Sequence, residues 1–208
     1  MKKVIFIGNS IINGFPGSRG KSFPGLIRVA VKDGSAGFHA DVINKGNNGE
    51  TTADILHRFE HDALAHEPAA IFIMTGTNDF IYREASPEQA FANLERMAVS
   101  AEETGIVPVY LTPLRVDAAK ASRMWMAGIG IDYDDINRQI ADFSDMILTS
   151  GRLSIDTGAA FTEFASGFEA PGDAYRDGVH PTEDGYRFLA DTVRQWMAAH
   201  TKDIGISD

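Results

Sequence analysis

The chain has 208 residues, 44% of them hydrophobic and 23% charged, enough to bury a sizeable core as one domain over residues 1–200. Nineteen Lys and Arg against 29 Asp and Glu leave a net charge of -10, a surface that repels phosphate and argues against nucleic acid or anionic membrane as partners. There is no cysteine, which excludes disulfides, thiolate zinc sites and cysteine nucleophiles. No run approaches the ~18 apolar residues of an integral membrane segment. Lys2 and Lys3 precede an apolar stretch, but Asn9, Ser10 and Asn13 break it too early for a signal peptide. The default expectation is a cytoplasmic protein, although a secreted form trimmed of its leader would look the same.

Val4 to Ile7 is a short unbroken run of β-branched and aromatic residues, the pattern of a strand buried on both faces. It stops at Gly8-Asn9-Ser10, small and polar residues that turn the chain. A helix is predicted over residues 21–32, ended by Gly34, and a second strand over residues 40–44. The Gly-rich turn Lys45 to Glu50 leads to Thr51 or Thr52, which caps a helix carrying the stripe Ile55, Leu56, Phe59 and Ala63. Residues 70–75 form a third strand closing into the turn Gly76-Thr77-Asn78-Asp79. Ser86-Pro87-Glu88-Gln89 matches a capping box with proline at the first helical position, and Gly105 ends that helix. Residues 107–111 make a fourth strand.

The stretch Leu114 to Tyr133 is irregular, with Met124-Trp125-Met126 followed by Gly128 and Gly130. Asp134 or Asp135 caps the next helix, residues 153–156 make a fifth strand, and Gly158 to Arg176 reads as loop. A last helix covers residues 183–199, and residues 201–208 read as a frayed tail. Alternating strands and helices argue for an α/β fold, a five-stranded parallel sheet covered by helices and suggesting the order 2-1-3-4-5.

In such sheets, ligands and chemistry gather beyond the carboxyl ends of the strands. Ser10, Gly49 and Asn78 all follow predicted strands. Near the carboxyl terminus stands Asp177-Gly178-Val179-His180-Pro181, just ahead of the last helix. An Asp three residues before a His can curl back to accept the Nδ1 proton, leaving Nε2 free as a base. Serine needs such a base because its hydroxyl is a weak nucleophile at neutral pH. The backbone amides of Ser10 and Gly49 and the Asn78 side chain can supply three donors to an oxyanion. Gly46 and Gly49 can both be read as turn glycines. Gly49 is preferred for its position relative to Asn44 and Thr51.

Gly8-Asn9-Ser10, Gly49 after Asn44, Gly76-Thr77-Asn78-Asp79 and Asp177-Gly178-Val179-His180-Pro181 together resemble the four blocks of the SGNH (GDSL-type) esterase and lipase family. The order and spacing agree from residue 3 to about residue 199, and the small bacterial thioesterase, arylesterase and lysophospholipase branch is the most similar. The resemblance implies a three-layer α/β/α sandwich of flavodoxin-like type, hydrolysis of a small-molecule ester or thioester through an acyl-enzyme, and no metal or other cofactor. It assigns Ser10 as nucleophile, His180 as base, Asp177 as its orienter, and Ser10, Gly49 and Asn78 as the oxyanion hole. The family usually has Asp before the serine, where this chain has Asn9. Asn is nearly isosteric and can still hydrogen-bond the turn, but a negative charge beside the nucleophile is lost.

Met124, Trp125, Met126 and Val179 are the candidate substrate-binding residues, since adaptable apolar side chains after the fourth strand can line an acyl pocket. Short to medium acyl groups are expected. His57-Arg58-Phe59-Glu60-His61 fits the H-x-x-E-H pattern of a zinc peptidase class. Phe59 lies on the core stripe, however, so the histidines fall toward the solvated face and no third ligand is nominated. A catalytically silent binding domain and an acyltransferase using the same residues are the rival readings of the four blocks. The oligomeric state is left open.

Overall fold

The computed structural model describes residues 1–125 and 130–207. Five parallel strands, β1 (Lys3–Gly8), β2 (Asp41–Gly46), β3 (Ala70–Met74), β4 (Val107–Leu111) and β5 (Ser154–Ile155), form one sheet in the order β2-β1-β3-β4-β5. That is the order expected from the strand and helix series. Between them run α1 (Ser10–Asn13), α2 (Phe23–Asp33), α3 (Thr52–Asp62), α4 (Thr77–Tyr82), α5 (Pro87–Glu103), α6 (Ala118–Met124), α7 (Tyr133–Thr149), α8 (Thr157–Ser166) and α9 (Glu183–Ala199). Among the described residues no helix is long and apolar enough to cross a membrane.

Alternation along β1 builds both layers of the core. Val4 and Phe6 face one side, with α2, α8 and α9, while Ile5 and Ile7 face the other, with α3, α5 and α7. Phe6 stacks on Phe72 of the neighbouring strand, centroids 4.7 Å apart, and the central pair of strands is apolar on both faces.

Four local readings are corrected. Residues 77–82 form helix α4 rather than a turn, with Asn78 and Asp79 in its first turn. Residues 158–166, expected to be loop, belong to α8, capped by Asp156 through the Ala159 amide. The cap of α7 is Asp132, not Asp134 or Asp135. Residues 201–207 are not frayed, because Ile204 and Ile206 are 0% and 3% exposed within the core layer under α2 and α9. Two isoleucines among polar residues carry no helical period, so only the cavity they fill reveals their use.

The strand ends set up the site. Gly8 pairs with both Gly46 and Met74, so β2, β1 and β3 finish at one level. A Cβ on Gly8 would lie 2.1 Å from the Met74 carbonyl oxygen, and one on Gly46 only 2.3 Å from the Asn13 amide. Glycine at both points therefore lets the segments carrying Ser10, Asn47 to Glu50 and Asn78 leave the sheet side by side.

Candidate active site

Asn9 caps α1, its Oδ1 accepting from the Ile11 amide at 3.2 Å, which presents Ser10 at the start of the helix. The neutral amide thus makes the turn bond expected of the family's Asp. Asn44 braces the same turn from β2, its Nδ2 donating to the Ile12 carbonyl at 2.6 Å and to Ser22 Oγ at 2.9 Å.

On the loop before α9, Asp177 Oδ1 accepts from the amides of Val179 (3.0 Å) and His180 (2.8 Å), while Oδ2 meets His180 Nδ1 at 2.8 Å. The carboxylate is half-buried, which by itself would raise its pKa, but its hydrogen bonds from the His180 ring and amide outweigh that and hold it below the ordinary value. With the Nδ1 proton directed at Asp177, Nε2 is left as an acceptor. It lies 2.9 Å from Ser10 Oγ, across 170 positions of sequence. Ser10 and His180 are 8% and 4% exposed. Gly178, between the two polar residues, has φ +93°, and a Cβ there would meet the Ala121 amide at 2.3 Å. The turn that aims His180 therefore depends on glycine.

Asn78 projects from the first turn of α4, where Nδ2 donates to the Glu50 carbonyl at 2.8 Å. Its second N–H is left for the cavity. Among the described residues, the Ser10 and Gly49 amides donate to no protein acceptor. Beside Asn78, Asp79 turns away and accepts from the Thr52 amide and hydroxyl, at 2.9 and 2.6 Å. Burial outweighs these bonds and pushes the Asp79 carboxyl up to about 6. Asp79 is thus the brace between α4 and the N-terminus of α3.

Ser10, Gly49, Asn78 and His180 line one cavity of about 240 Å³ together with Phe15, Asn48, Tyr82 and Trp125. The Phe15 ring lies 4.5 Å from the His180 ring, centroid to centroid, and Trp125 approaches edge-on at 6.2 Å. The Tyr82 hydroxyl sits 3.7 Å from where a Gly49 side chain would begin.

Of the four expected pocket residues, only Trp125 is placed here. Met124 ends α6 with its side chain 60% exposed, and Val179 is 5% exposed within the core on the α3 and α5 side. Met124 is the last residue of α6 and Trp125 follows it with extended backbone, so the two neighbouring side chains point in different directions. Met126 lies outside the described residues. Phe15, Asn48 and Tyr82 are additions. Tyr82 was within reach of sequence reasoning, because it lies four residues after Asn78 and shares its face once residues 77–82 are helical.

His57, Glu60 and His61 are exposed on α3, and among the described residues no three His, Asp or Glu side chains are grouped to hold a metal ion. His61 instead contacts Asp62 at 2.9 Å.

Residues 6–188 match the family model described as the GDSL-like Lipase/Acylhydrolase family. The sequence is 25% identical over 208 residues to an acetylxylan esterase from Geobacillus stearothermophilus, covering 91% of this chain and 90% of that one. Its fold is similar to the crystal structure of a lipase/acylhydrolase from Enterococcus faecalis, with a TM-score of 0.76 and 20% identity, covering 96% of this chain and 97% of that one. A crystal structure of Axe2, an acetylxylan esterase from Geobacillus stearothermophilus, gives a TM-score of 0.69 and 22% identity, covering 99% of this chain and 95% of that one.

Proposed function

The chain belongs to the GDSL-like lipase/acylhydrolase family, and from that premise we propose that it hydrolyses carboxylic esters of short acyl groups through an acyl-enzyme on Ser10. The observation that supports this reading is the relay from Ser10 Oγ to His180 Nε2 at 2.9 Å and from His180 Nδ1 to Asp177 at 2.8 Å. Ser10 Oγ attacks the carbonyl carbon while its proton passes to Nε2, and Asp177 stabilises the imidazolium. The oxygen that gains charge is received by the Ser10 and Gly49 amides and the free N–H of Asn78. Collapse breaks the ester C–O bond, and the departing alcohol takes the proton from Nε2. Water then repeats the sequence on the acyl-enzyme and releases the acid.

The leaving group must lie against His180, which protonates it, so Phe15 and Trp125 form its side of the cavity. The acyl group lies toward Tyr82 and Gly49. A cavity of about 240 Å³ falls below the ~300 Å³ from which drug-sized ligand pockets begin, which favours acetyl and similarly short acyl groups. A thioester would follow the same steps with a thiol as leaving group. The small-molecule ester is the only partner this reading requires.

An acetylated sugar is the alcohol side favoured by the acetylxylan esterase relative, since aromatic rings such as Phe15 and Trp125 offer flat faces to a pyranose. In Axe2 of Geobacillus stearothermophilus, a serine-to-alanine and a histidine-to-alanine variant are each named a catalytic mutant.

The test is a fluorophosphonate probe with p-nitrophenyl acetate hydrolysis. The wild type is expected to be labelled and active, and Ser10→Ala to be neither. A wild type that is neither labelled nor active supports the rival reading of a silent binding domain. Product analysis with an added alcohol separates hydrolase from acyltransferase.

A further inference from the structure

Arg58 lies on α3, outside the cavity and unassigned by the chemistry above. Its guanidinium is half-buried, and all three of its nitrogens donate. Nε lies 2.9 Å from both carboxylate oxygens of Glu50, Nη2 meets Glu50 Oε2 at 2.5 Å and the Lys45 carbonyl at 2.8 Å, and Nη1 meets Asp62 at 2.9 Å. A longer contact of 3.4 Å reaches the Gly8 carbonyl. One planar group therefore joins the end of β1, the end of β2 and the loop that follows β2.

The far end of that loop is where the oxyanion donors are fixed. The Glu50 carbonyl is the acceptor for Asn78 Nδ2 at 2.8 Å, and the Gly49 amide is one residue away. The Glu50 carboxylate is held from its other side by Asn47 Nδ2 at 3.0 Å. Gly49 has φ +81° and is exposed, with nothing closer than the Tyr82 hydroxyl around its missing side chain. Packing does not hold this turn in place. Hydrogen bonds do: before Gly49, Asn13 Nδ2 donates to Asn48 Oδ1 at 2.8 Å and Arg19 Nη2 to Asn47 Oδ1 at 3.1 Å, and after it Glu50 is held by Arg58.

We infer that Arg58 is a positioning residue for the oxyanion hole, acting through Glu50 to hold the Gly49 amide and the Asn78 side chain where charge develops. Its own charge has little direct influence on the reaction, because Glu50 and Asp62 neutralise it together with Lys45, which lies 3.7 Å from Asp62. The fork geometry is what matters. Lysine offers a point charge that cannot hold a carboxylate and a carbonyl in one plane. The inference rests on the ester hydrolase reading and assigns that site a residue beyond its relay and donors.

The experiment is a double-mutant cycle on p-nitrophenyl acetate hydrolysis, comparing Arg58→Met, Asn78→Ala and the pair, with folding checked by circular dichroism. Arg58→Met is expected to lower kcat about 10- to 100-fold with KM changed less than about 3-fold, because misplacing a reacting group by ~1 Å costs that much. In the Asn78→Ala background, the same change is expected to cost clearly less than in the wild type, the remainder coming from the Gly49 amide, since two lesions of one device do not add in full. Inhibition by a boronic acid, which mimics the tetrahedral state, is expected to weaken in step with kcat/KM. Arg58→Lys is expected to fall between wild type and Arg58→Met.

If Arg58→Met does not fold, Glu50→Gln takes its place. It keeps the side-chain shape and weakens the clamp, and its loss of kcat is expected to shrink in the same background. A loss of thermal stability with kcat intact, or a kcat loss undiminished by Asn78→Ala, would overturn the inference and leave the hydrolase reading standing. A wild type without Ser10-dependent activity would overturn that reading instead.

Discussion

On the proposed mechanism, replacing Asn78 with alanine removes one oxyanion donor with little other disturbance. The side chain is 5% exposed and makes one hydrogen bond, from Nδ2 to the Glu50 carbonyl at 2.8 Å. Truncation has two separable costs. The Glu50 carbonyl loses its partner, which lowers stability by about 1 kcal/mol. The transition state loses one of three donors, which lowers kcat by about 10²–10³, or roughly 2.7–4 kcal/mol. Because the donor acts on charge that develops only during attack, KM is expected to stay within about 3-fold of wild type. Asn78→Asp is expected to be at least as damaging, since a carboxylate repels both the oxyanion and the Glu50 carbonyl. Steady-state hydrolysis of p-nitrophenyl acetate, with thermal unfolding in parallel, measures both quantities. A variant that keeps kcat within about 3-fold, or that loses affinity while keeping turnover, would remove Asn78 from the hole.

Ser10→Ala and His180→Ala are each expected to lower turnover by several orders of magnitude, with the circular dichroism spectrum unchanged. Tyr82→Ala opens the acyl side of the cavity, so the ratio of butyrate to acetate hydrolysis is expected to rise by about tenfold or more, at ~1–3 kcal/mol per methylene; an unchanged chain-length profile would place the acyl group elsewhere. Asp79 binds a proton in the folded state at pH values where the unfolded chain has lost it, because its carboxyl is raised from 3.8 to about 6. Its contribution is therefore present below pH 3.8 and lost as pH rises through about 6, by at most about 3 kcal/mol. Asp79→Asn is expected to gain on the wild type in denaturant unfolding across that window, and a difference that does not vary with pH would contradict it. Asp177 has the opposite sign: its carboxyl is held low, so its contribution is full above 3.8 and lost as pH falls further.

The residues that were legible in the sequence are those whose role follows from local chemistry. Asp177 and His180 lie three apart, and that spacing alone lets the carboxylate take both the ring proton and two backbone amides. The capping box at Ser86 and Gln89 was readable for the same reason, and both of its bonds are present. The pocket walls were not readable. Val179 and Met124 are apolar and next to the right residues, yet one is turned into the core and the other into solvent. Asp79 reads in the sequence as part of a turn, and only its bonds to Thr52, 27 residues away, make it a brace.

The sequence by itself determined the strands, their buried faces and the polar residues at their ends, because periodicity and turn chemistry are written in near neighbours. Tertiary structure alone decided that a serine and a histidine 170 residues apart stand 2.9 Å from each other, and that Phe15, Tyr82 and Trp125 enclose them. Such contacts depend on where the ends of several strands come to lie, which is a property of the assembled sheet and of no single segment.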